Sequence, residues 1–375
     1  MKFKERLQDA YQGKTVLVTG HTGFKGAWLC EWLLKLGARV VGVALPPNTE
    51  PALFDQLGLA SRVEHHLQDI RDREALTAIV LKARPEYLFH LAAQPLVRLS
   101  YAEPVETYTT NLLGTVNLLE ALRQLDAIYR KEREKCSSVL ITTDKCYANR
   151  EWLQGYREED PLGGYDPYSS SKACAELAIA SWRQSFFNPE HSAEPIRIGI
   201  ASARAGNVIG GGDWALDRII PDCIRHLTRD KPIPVRNPAA TRPWQHVMEP
   251  LSGYLTLAMR QRYALVSEEK EALVALSSAF NFGPGLGSNR SVKEVVEEAL
   301  QCWPGDWEDH QKTGEPHEAG KLNLAWDKAF HLLDWQPRWE FPETLARTIN
   351  WYRQQMTSGV DAGTLIRGDI EAYES

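Results

Sequence analysis

A glycine-rich segment directly after a buried apolar run is the feature that most constrains the fold. Residues 14–19 predict a buried β-strand, and residues 27–36 predict a helix. Between them the sequence GHTGFKG contains Gly20, Gly23 and Gly26. Glycines at such a turn let the backbone approach phosphates, and the helix N-terminus offers unpaired N–H groups and a positive dipole end. The segment predicts a dinucleotide-binding loop, and a Gly-rich turn without a ligand is the alternative.

The rest of the N-terminal half alternates strand and helix patterns. The loop spacing is GxxGxxG, which differs from the GxGxxG of the commoner dinucleotide fold. Further strands are predicted at 39–45, 87–91, 138–142 and 196–203, and helices at 107–125 and 168–185. This alternation requires right-handed crossovers between parallel strands. We therefore predict an α/β fold with a doubly wound parallel sheet of the Rossmann type.

The regular pattern fades after about residue 205, where Gly, Pro and Trp become frequent, as in GNVIGGGDW and CWPGDW. This change predicts a smaller, loop-rich C-terminal lobe over residues 205–375, with a closing helix at 342–355. We place the dinucleotide-binding domain at residues 1–190. The strand at 196–203 is expected to return to that domain, so that the two lobes interleave.

Several short segments after the predicted strands complete the expected cofactor site. Asp69 follows a third strand, where its carboxylate can accept hydrogen bonds from an adenine ring. No Asp or Glu follows the second strand to bind a ribose 2′-hydroxyl, and no Arg stands there for a 2′-phosphate, which favours NAD over NADP. The predicted cofactor-binding residues from these segments are Gly20, Thr22, Gly23, Phe24, Gly26, Asp69, Ile70, Ala92, Ala93 and Gln94.

The composition excludes several classes of protein. The net charge is −6 and the pI is near 6.0, so the chain lacks the basic face that nucleic-acid binding needs. Residues 1–20 contain no apolar stretch as long as a signal peptide requires, and no segment approaches the length of a membrane span. The six cysteines are scattered without a CxxC pair, which predicts reduced thiols, no metal site and a cytoplasmic protein.

The sequence YSSSK places Tyr168 and Lys172 four residues apart on a predicted helix. Residues at this spacing share a helix face, so a phenol and an ammonium can reach one ligand. The lysine cation and a nicotinamide ring would favour phenolate and lower the tyrosine pKa from about 10. Such a tyrosine can exchange a proton with a carbinol during hydride transfer. A Tyr and a Lys on a solvated helix face are the alternative.

The glycine loop, the sequence NLLGTVNLLEA around Asn111 and the YSSSK helix together resemble the extended short-chain dehydrogenases/reductases. The similarity runs from about residue 15 to residue 339. Four longer segments resemble the CDP-glucose 4,6-dehydratase family: TTDKCYANREW, GGYDPYSSSKACAE, ARAGNVIGGGDWALDRIIPD and TRPWQHV. The resemblance implies that Thr143, Tyr168 and Lys172 are catalytic. It also implies that Asn111 supports the lysine and that Asn111, Tyr168 and Lys172 belong to the NAD site.

The resemblance further implies a redox-neutral conversion of CDP-D-glucose to CDP-4-dehydro-6-deoxy-D-glucose and water. Tyr168 would act as base at the C4 hydroxyl, Thr143 would hydrogen-bond the C4 oxygen, and Lys172 would tune the tyrosine. A C4 ketone acidifies the C5 proton, so that a base can remove it. Asp144 would then be the general acid that protonates the departing C6 oxygen. Related dehydratases of thymidine sugars carry Glu where this chain has Lys145. Lys145 is a candidate C5 base only as a neutral amine, and a strand-end ion pair with Asp144 is the alternative.

The expected substrate site lies in the second lobe, where the resemblance places Arg204, Asn207, Arg218, Arg242, Trp244 and His246. Arginines suit diphosphate oxygens, although a loop with a snorkelling cation is the alternative for Arg242. Nothing in the residues themselves recognises cytosine, so CDP rests on the resemblance alone.

Family members pack helices 107–125 and 168–185 between subunits, which implies a homodimer or homotetramer without nucleic-acid or membrane partners. The product could feed deoxysugar biosynthesis for lipopolysaccharide or another surface polysaccharide. A 4-epimerase and a dehydratase for another nucleotide-sugar are the nearest alternatives. A non-catalytic NAD-binding regulator is a third, although such relatives typically lose the Tyr or the Lys.

Overall fold

The computed structural model describes residues 2–192, 194–311 and 322–375. Its strands are β1 (Thr15–Thr19), β2 (Arg39–Ala44), β3 (Glu64–Leu67), β4 (Tyr87–His90), β5 (Cys136–Ile141), β6 (Ile198–Ala205), β7 (Val208–Ile209), β8 (Ile233–Val235), β9 (Thr241–Pro243), β10 (Gln245–His246), β11 (Ala279–Phe282), β12 (Asn289–Ser291) and β13 (Trp307–Asp309). Its helices are α1 (Phe3–Tyr11), α2 (Phe24–Lys35), α3 (Leu53–Gln56), α4 (Arg73–Ala83), α5 (Val97–Ala102), α6 (Pro104–Tyr108), α7 (Gly114–Glu132), α8 (Pro167–Phe186), α9 (Ile219–Leu227), α10 (Met248–Ser267), α11 (Lys270–Leu276), α12 (Val292–Cys302), α13 (Asp327–Leu333), α14 (Phe341–Ser358) and α15 (Ala362–Glu374). A π-helix at Thr109–Leu113 joins α6 to α7, and a 3₁₀ turn at Asp144–Cys146 follows β5. None of the helices in these described ranges is both long and apolar enough to cross a bilayer.

Seven parallel strands form the central sheet in the order β11-β6-β5-β4-β1-β2-β3. Strands and helices alternate along the chain as far as β6, which confirms the predicted α/β fold with a doubly wound sheet. The strand order reverses at β1, because β2 lies on one side of it and β4 on the other. The loops after β1 and β4 therefore diverge, and ligands of such sheets bind in the crevice between them.

The C-terminal half contributes more to this sheet than its sequence pattern predicts. Strand β11 pairs with β6, with Ala279 opposite Ser202, and becomes the edge of the sheet. Helix α10 packs across β5 and β6. Residues 248–282 thus complete the sheet layer, although they lie within the expected substrate lobe. The division into two lobes near residues 190–205 stays a prediction.

A continuous core fixes α2 from the C-terminal side. Trp28 and Trp32 of α2 are fully buried in a cluster that joins both halves of the chain. The Trp28 indole donates to the carbonyl of Gly211 at 2.9 Å, and the Trp32 indole donates to Glu374 Oε1 at 2.8 Å. Buried indoles combine a large apolar contact area with a hydrogen bond that sets orientation. The N-terminus of α2, where the glycine loop ends, is therefore held in a defined position.

Candidate active site

The glycine loop between β1 and α2 packs closely against its neighbours. Gly20 has φ +75°, and a Cβ at this position would lie 2.7 Å from the backbone nitrogen of Ala92. A Cβ at Gly26 would lie 2.1 Å from the carbonyl oxygen of Gly20. The first glycine thus lets the ends of β1 and β4 approach, and the third lets α2 pack against the loop.

The N-terminus of α2 fits a dinucleotide pyrophosphate. Gly23 is the N-cap residue, no side chain caps the helix, and no acidic residue stands in its first turn. A Cβ at Gly23 would meet only the Gly20 carbonyl oxygen, at 3.5 Å, so the space outside the helix end is open. Thr22 donates its hydroxyl to the carbonyl of Leu45 at 2.9 Å, which ties the loop to the end of β2. The exposed N–H groups and the helix dipole therefore provide the donors that phosphate oxygens need.

The segments after β3 and β4 line the same crevice. The Arg71 guanidinium hydrogen-bonds Asp69 and lowers the pKa of that carboxyl. Gln94 donates its backbone N–H to Asn111 Oδ1 at 2.8 Å, and Asn111 Nδ2 donates to Ser171 Oγ at 2.9 Å. The π-helix thus connects the β4 loop to α8. The other predicted residues beside this crevice are Phe24 in the first turn of α2, the buried Ile70 against Gly114, and the half-buried Ala92 and Ala93.

A histidine pair lies beside the middle of β2. His21 Nε2 lies 2.6 Å from His65 Nδ1, and the His21 ring fills the space beside Gly42, where a Cβ would clash with it at 2.4 Å. Burial, followed by the charge of His65, lowers the pKa of His21 to about 4. His21 is therefore neutral near pH 7 and adds no cation for a 2′-phosphate.

Helix α8 carries the predicted Tyr168 and Lys172 on a buried face. Asp166 caps the helix by accepting the N–H of Ser169 at 2.9 Å, and Pro167 occupies the first helical position. Tyr168 and Lys172 are both buried. Lys172 Nζ donates to the carbonyl oxygen of Ile141 at 3.4 Å, at the end of β5. The capped helix therefore aims both side chains at the carboxyl end of the sheet.

Burial shifts the pKa values of both Tyr168 and Lys172, and the tyrosine shift is opposite to the expected lowering. Burial raises the pKa of Tyr168 to about 12, although a hydrogen bond with Thr143 and the charge of Arg218 lower it. Burial also lowers the pKa of Lys172 to about 8. The predicted lowering of the tyrosine pKa is thus absent from the chain alone, because loss of hydration outweighs the nearby cations.

Asp144 and Lys145 stand in the 3₁₀ turn after β5, directly beside Tyr168. Thr143 Oγ1 donates to Asp144 Oδ1 at 3.0 Å, and a Cβ at Gly206 would lie 2.8 Å from Asp144 Oδ2. Lys145 Nζ lies 3.7 Å from Asp144 Oδ1 and donates to Asn207 Oδ1 at 3.0 Å. The structure therefore brings the predicted acid, the candidate C5 base and one predicted substrate residue together.

Lys25 is a further site residue that the sequence pattern did not identify. It lies in the first turn of α2, and its Nζ donates to the Tyr254 hydroxyl of α10 at 3.5 Å. Burial lowers the pKa of Lys25 to about 8, with Arg218 and Lys172 lowering it further and Asp144 raising it. A lysine in a glycine loop resembles a surface residue, and only the contact with Tyr254 of α10 shows that it is half-buried.

The predicted phosphate-binding arginines lie on two separate elements. Arg218, at the N-terminal end of α9, donates to Asp213 Oδ2 at 2.7 Å and is close enough to Tyr168 to affect its pKa. Arg242 on β9 stands directly opposite Arg290 on β12. Arg290 lies 3.9 Å from Glu294 Oε1, and Arg242 donates to the carbonyl oxygen of Thr241 at 2.7 Å, so both arginines have internal partners. Arg290 was not predicted, since only the strand register shows this pairing.

Three of the residues predicted to bind substrate have buried side chains that make internal contacts, and their role in binding stays a prediction. Arg204 is buried, and its guanidinium donates to Glu176 Oε2 at 2.9 Å and to the Tyr147 hydroxyl at 2.7 Å. His246 is fully buried between the rings of Trp28 and Trp339. The predicted Trp244 is also buried, with its indole N–H bound to a backbone carbonyl. Internal contacts therefore account for these three side chains.

The side chains that could ligate a metal are dispersed in the described part of the chain. Over residues 2–192, 194–311 and 322–375, no three His, Cys, Asp or Glu side chains are grouped so as to hold a metal ion. The cysteines in those ranges are free thiols.

The chain is similar to several known proteins over almost its full length. The family model described as GDP-mannose 4,6 dehydratase matches residues 17–348. The CDP-glucose 4,6-dehydratase of Salmonella typhimurium is 49% identical over 370 residues, which cover 98% of each chain. The structure of a dTDP-glucose 4,6-dehydratase from Streptomyces venezuelae with NAD and TYD bound has a TM-score of 0.74 at 20% identity and covers 91% of this chain and 97% of that one. The UDP-glucose 4-epimerase of Thermus thermophilus in complex with NAD has a TM-score of 0.72 at 23% identity, with coverages of 90% and 99%.

The family match begins within β1 and ends within α14, so it includes the glycine loop, the 3₁₀ turn with Asp144 and the face of α8 that carries Tyr168 and Lys172. It therefore contains every element that forms the crevice. The chain belongs to the GDP-mannose 4,6 dehydratase family.

Proposed function

We propose that the protein is an NAD-dependent nucleotide-sugar 4,6-dehydratase that converts CDP-D-glucose to CDP-4-dehydro-6-deoxy-D-glucose and water. The observation that carries this proposal is the carboxylate of Asp144 beside Tyr168 and Thr143. An alcohol dehydrogenase or a 4-epimerase needs the tyrosine, whereas the loss of water also needs an acid at C6. The 49% identity to a CDP-glucose 4,6-dehydratase over 98% of the chain supports CDP-glucose as the substrate.

The crevice residues fit NAD on the geometry described above. The uncapped N-terminus of α2 would hold the pyrophosphate, and Asp69 would hold the adenine. Tyr168 and Lys172 would face the nicotinamide ribose. Bound NAD supplies a hydride acceptor for C4 and a hydride donor for C6, so that the overall reaction is redox-neutral.

The chain itself supplies the proton transfers. Tyr168 takes the C4 hydroxyl proton, while Thr143 orients the C4 oxygen through its hydroxyl. A positive charge on Lys172, one turn along the same face of α8, would favour the phenolate form of Tyr168 against the effect of burial. In the chain alone the Tyr168 phenol is protonated near pH 7. It would act as a base only where Lys172 and the positively charged nicotinamide ring of bound NAD favour the phenolate.

The dehydration step belongs to Asp144 and a C5 base. After oxidation at C4, a base removes the C5 proton, the C6–O bond breaks, and Asp144 donates a proton to the departing oxygen, which leaves as water. Lys145 is the candidate base by its place in the turn, and it would first have to lose its proton, because its 3.7 Å ion pair with Asp144 Oδ1 favours the ammonium. The substrate diphosphate would bind Arg218 and the Arg242–Arg290 pair.

Product mass tests the function directly. The purified protein should convert CDP-glucose to a product lighter by one water, without net change in NAD, and less rapidly convert dTDP-, GDP- or UDP-glucose. Recovery of an isomer inverted at C4 with unchanged mass would favour the 4-epimerase instead. Binding of NAD without conversion of any of these sugars would favour a regulator.

The proposed function also leads us to expect a particular oligomeric state, cellular location and role. Val105, Leu113 and Leu177 are exposed apolar side chains on or beside α6, α7 and α8, the helices that the family packs between subunits. We therefore expect a homodimer or homotetramer formed through these helices. We also expect the protein to act in the cytoplasm and to supply a 4-keto-6-deoxy sugar for surface polysaccharide.

A further inference from the structure

Glu176 continues the catalytic face of α8 one turn beyond Lys172. Tyr168, Lys172 and Glu176 are spaced four residues apart, so they lie along one side of the helix. Glu176 is 3% exposed, which is unusual for a carboxylate. It accepts hydrogen bonds from the hydroxyls of Thr142 and Ser202, the latter at 2.8 Å. The carboxylate is therefore held in one position beneath the reaction site.

Arg204 balances this buried carboxylate. Its Nη2 lies 2.9 Å from Glu176 Oε2, while Nη1 donates to the Tyr147 hydroxyl and to the carbonyl of Glu158. The guanidinium also stacks on the Tyr147 ring, 4.9 Å from its centroid. Although burial raises the pKa of Glu176, Arg204 and the two hydroxyls lower it below its ordinary value overall. Glu176 is therefore ionised near neutral pH.

Lys172 has a poor hydrogen-bond environment for an ammonium. Its bond to the Ile141 carbonyl is 3.4 Å, which is long for a charged donor. Burial lowers the pKa of Lys172 to about 8, and Glu176 is the main group that opposes this effect. The amine is thus close to losing its proton in the pH range where the enzyme would work.

We propose that Glu176, balanced by Arg204, is a positioning residue that keeps Lys172 protonated and thereby sets the alkaline limit of the reaction. The inference rests on the proposed function, because it takes Lys172 to be the cation beside Tyr168. Glu176 acts through Lys172 and does not itself contact substrate.

The other charged or titratable groups around Lys172 do not replace Glu176. The groups around it are Tyr168 on α8, His90 on β4, Cys146 in the 3₁₀ turn and Lys25 on α2, while Arg204 on β6 contacts Glu176. Burial lowers the pKa of His90 to about 3 and raises that of the Cys146 thiol, so both are neutral near pH 8. Lys25 is a cation and disfavours the ammonium. Glu176 therefore remains as the anion that supports it.

Variants of the two ion-pair partners should shift the alkaline limb of the pH profile in opposite directions. Glu176→Gln removes the anion and leaves Arg204, so the limb for CDP-glucose conversion should move to lower pH by about one unit. Arg204→Met removes the guanidinium that hydrogen-bonds Glu176 and leaves Arg183 as the remaining arginine near it, so the limb should move to higher pH. The double variant, which removes both charges, should return towards wild type. If the pair were purely structural, both single variants would lower activity, and the alkaline limb would not move in opposite directions in the two.

Glu31→Gln is the matched control. Glu31 is an equally buried glutamate that pairs with Arg62 and Arg367, on α2 rather than on α8. Its loss should reduce stability without moving the alkaline limb. Thermal melts of all variants at one pH identify any variant that fails to fold. If Glu176→Gln does not fold, the direction in which Arg204→Met shifts the alkaline limb still tests the inference.

A second measurement separates this inference from the proposed function. The pH dependence of NAD binding, followed by quenching of tryptophan fluorescence without substrate, should show the same opposite shifts, and Lys172→Met should abolish them. If NAD binding shifts but CDP-glucose is not converted, the proposed substrate is wrong and the role of Glu176 stands. Shifts in the same direction for Glu176→Gln and Arg204→Met, or no shift for Glu176→Gln, would overturn the inference.

Discussion

Thr143 connects the two proton-transfer groups of the site. Its hydroxyl donates to Asp144 Oδ1 at 3.0 Å and is also hydrogen-bonded with Tyr168. The proton that leaves the C4 oxygen and the proton that reaches the C6 oxygen would therefore be handled by neighbouring side chains. Because the two groups act at different stages, substitution of each should stop the reaction at a different point.

Asp144→Asn should separate oxidation from dehydration. The amide has nearly the same shape but cannot donate a carboxyl proton, so dehydration should slow by about 100-fold or more. Oxidation at C4 should persist, and the near-ultraviolet absorbance of reduced nicotinamide should accumulate in a single turnover. Tyr168→Phe is the comparison, and it should give neither the absorbance nor the product. Dehydration by Asp144→Asn at the wild-type rate would remove Asp144 from the mechanism.

At the scale of elements, the turn after β5 and the segment after β6 must approach closely for Asp144 to take its position. A Cβ at Gly206 would lie 2.8 Å from Asp144 Oδ2, in a range that real Cβ contacts do not occupy. Gly206→Ala should therefore displace the carboxylate, and a misplacement of about 1 Å can cost roughly 100-fold in rate. NAD affinity should change little, because the glycine loop is untouched.

The matched control for this variant is Gly285→Ala. Gly285 lies in the C-terminal half, and a Cβ there would meet nothing within 4 Å. Steady-state rates and NAD titrations of both variants give the comparison. Equal rates for Gly206→Ala and wild type would show that the contact does not position Asp144.

Elements with a local sequence signal were predicted well. The β1 strand, the glycine loop and α8 each carry their own pattern, and the observed Pro167–Phe186 helix agrees closely with the predicted range 168–185. Strand β11 was missed, since its four residues have no period and are a strand only through their pairing with β6. The expected long helix at 107–125 is interrupted by a π-helix at Thr109–Leu113, which turns Asn111 towards Gln94 and Ser171.

The predicted site residues rest on signals of different kinds, and their roles stay predictions. Tyr168 and Lys172 were predicted from spacing on one helix, and Asp144 from its place at a strand end. Arg204 was assigned to substrate by the resemblance, and its hydrogen bond to Glu176, 28 residues away in sequence, was not predicted. Such contacts depend on how β6 and α8 are placed together, and neither segment alone contains that information.

At the scale of the whole molecule, the two ends of the chain close over the same core. The guanidinium of Arg338 lies 4.4 Å from the ring centroid of Phe3, and the Phe3 ring contacts Tyr373 of α15. Tyr373 in turn donates its hydroxyl to Glu249 on α10 at 2.6 Å. The sheet, the glycine loop on α2 and the C-terminal helices therefore belong to one cooperative core, and loosening α15 should also loosen the cofactor site.

Glu249 makes this closure sensitive to pH. Burial raises the pKa of Glu249 to about 7, although hydrogen bonds from Tyr373 and two backbone N–H groups lower it. An unfolded glutamate has a pKa of about 4.3, so the folded protein holds a proton that the unfolded chain has already released between these values. The stabilisation is complete below the unfolded pKa and is lost as pH rises through about 7, an effect on the order of 3 kcal/mol.

The free energy of unfolding should therefore decrease between pH 5 and pH 8 in both proteins, and the decrease should be larger in the wild type than in Glu249→Gln. The glutamine cannot ionise, so its contribution to stability does not change with pH. Two donors bind Glu249 Oε2, and the glutamine offers them a weaker acceptor, so the variant should be less stable than wild type at both pH values. Urea titrations of both proteins at the two pH values measure the difference, and NAD titrations show whether the loosened core reaches the glycine loop. The same loss in wild type and variant would mean that Glu249 remains ionised throughout this range, because its hydrogen-bond donors outweigh the cost of burial.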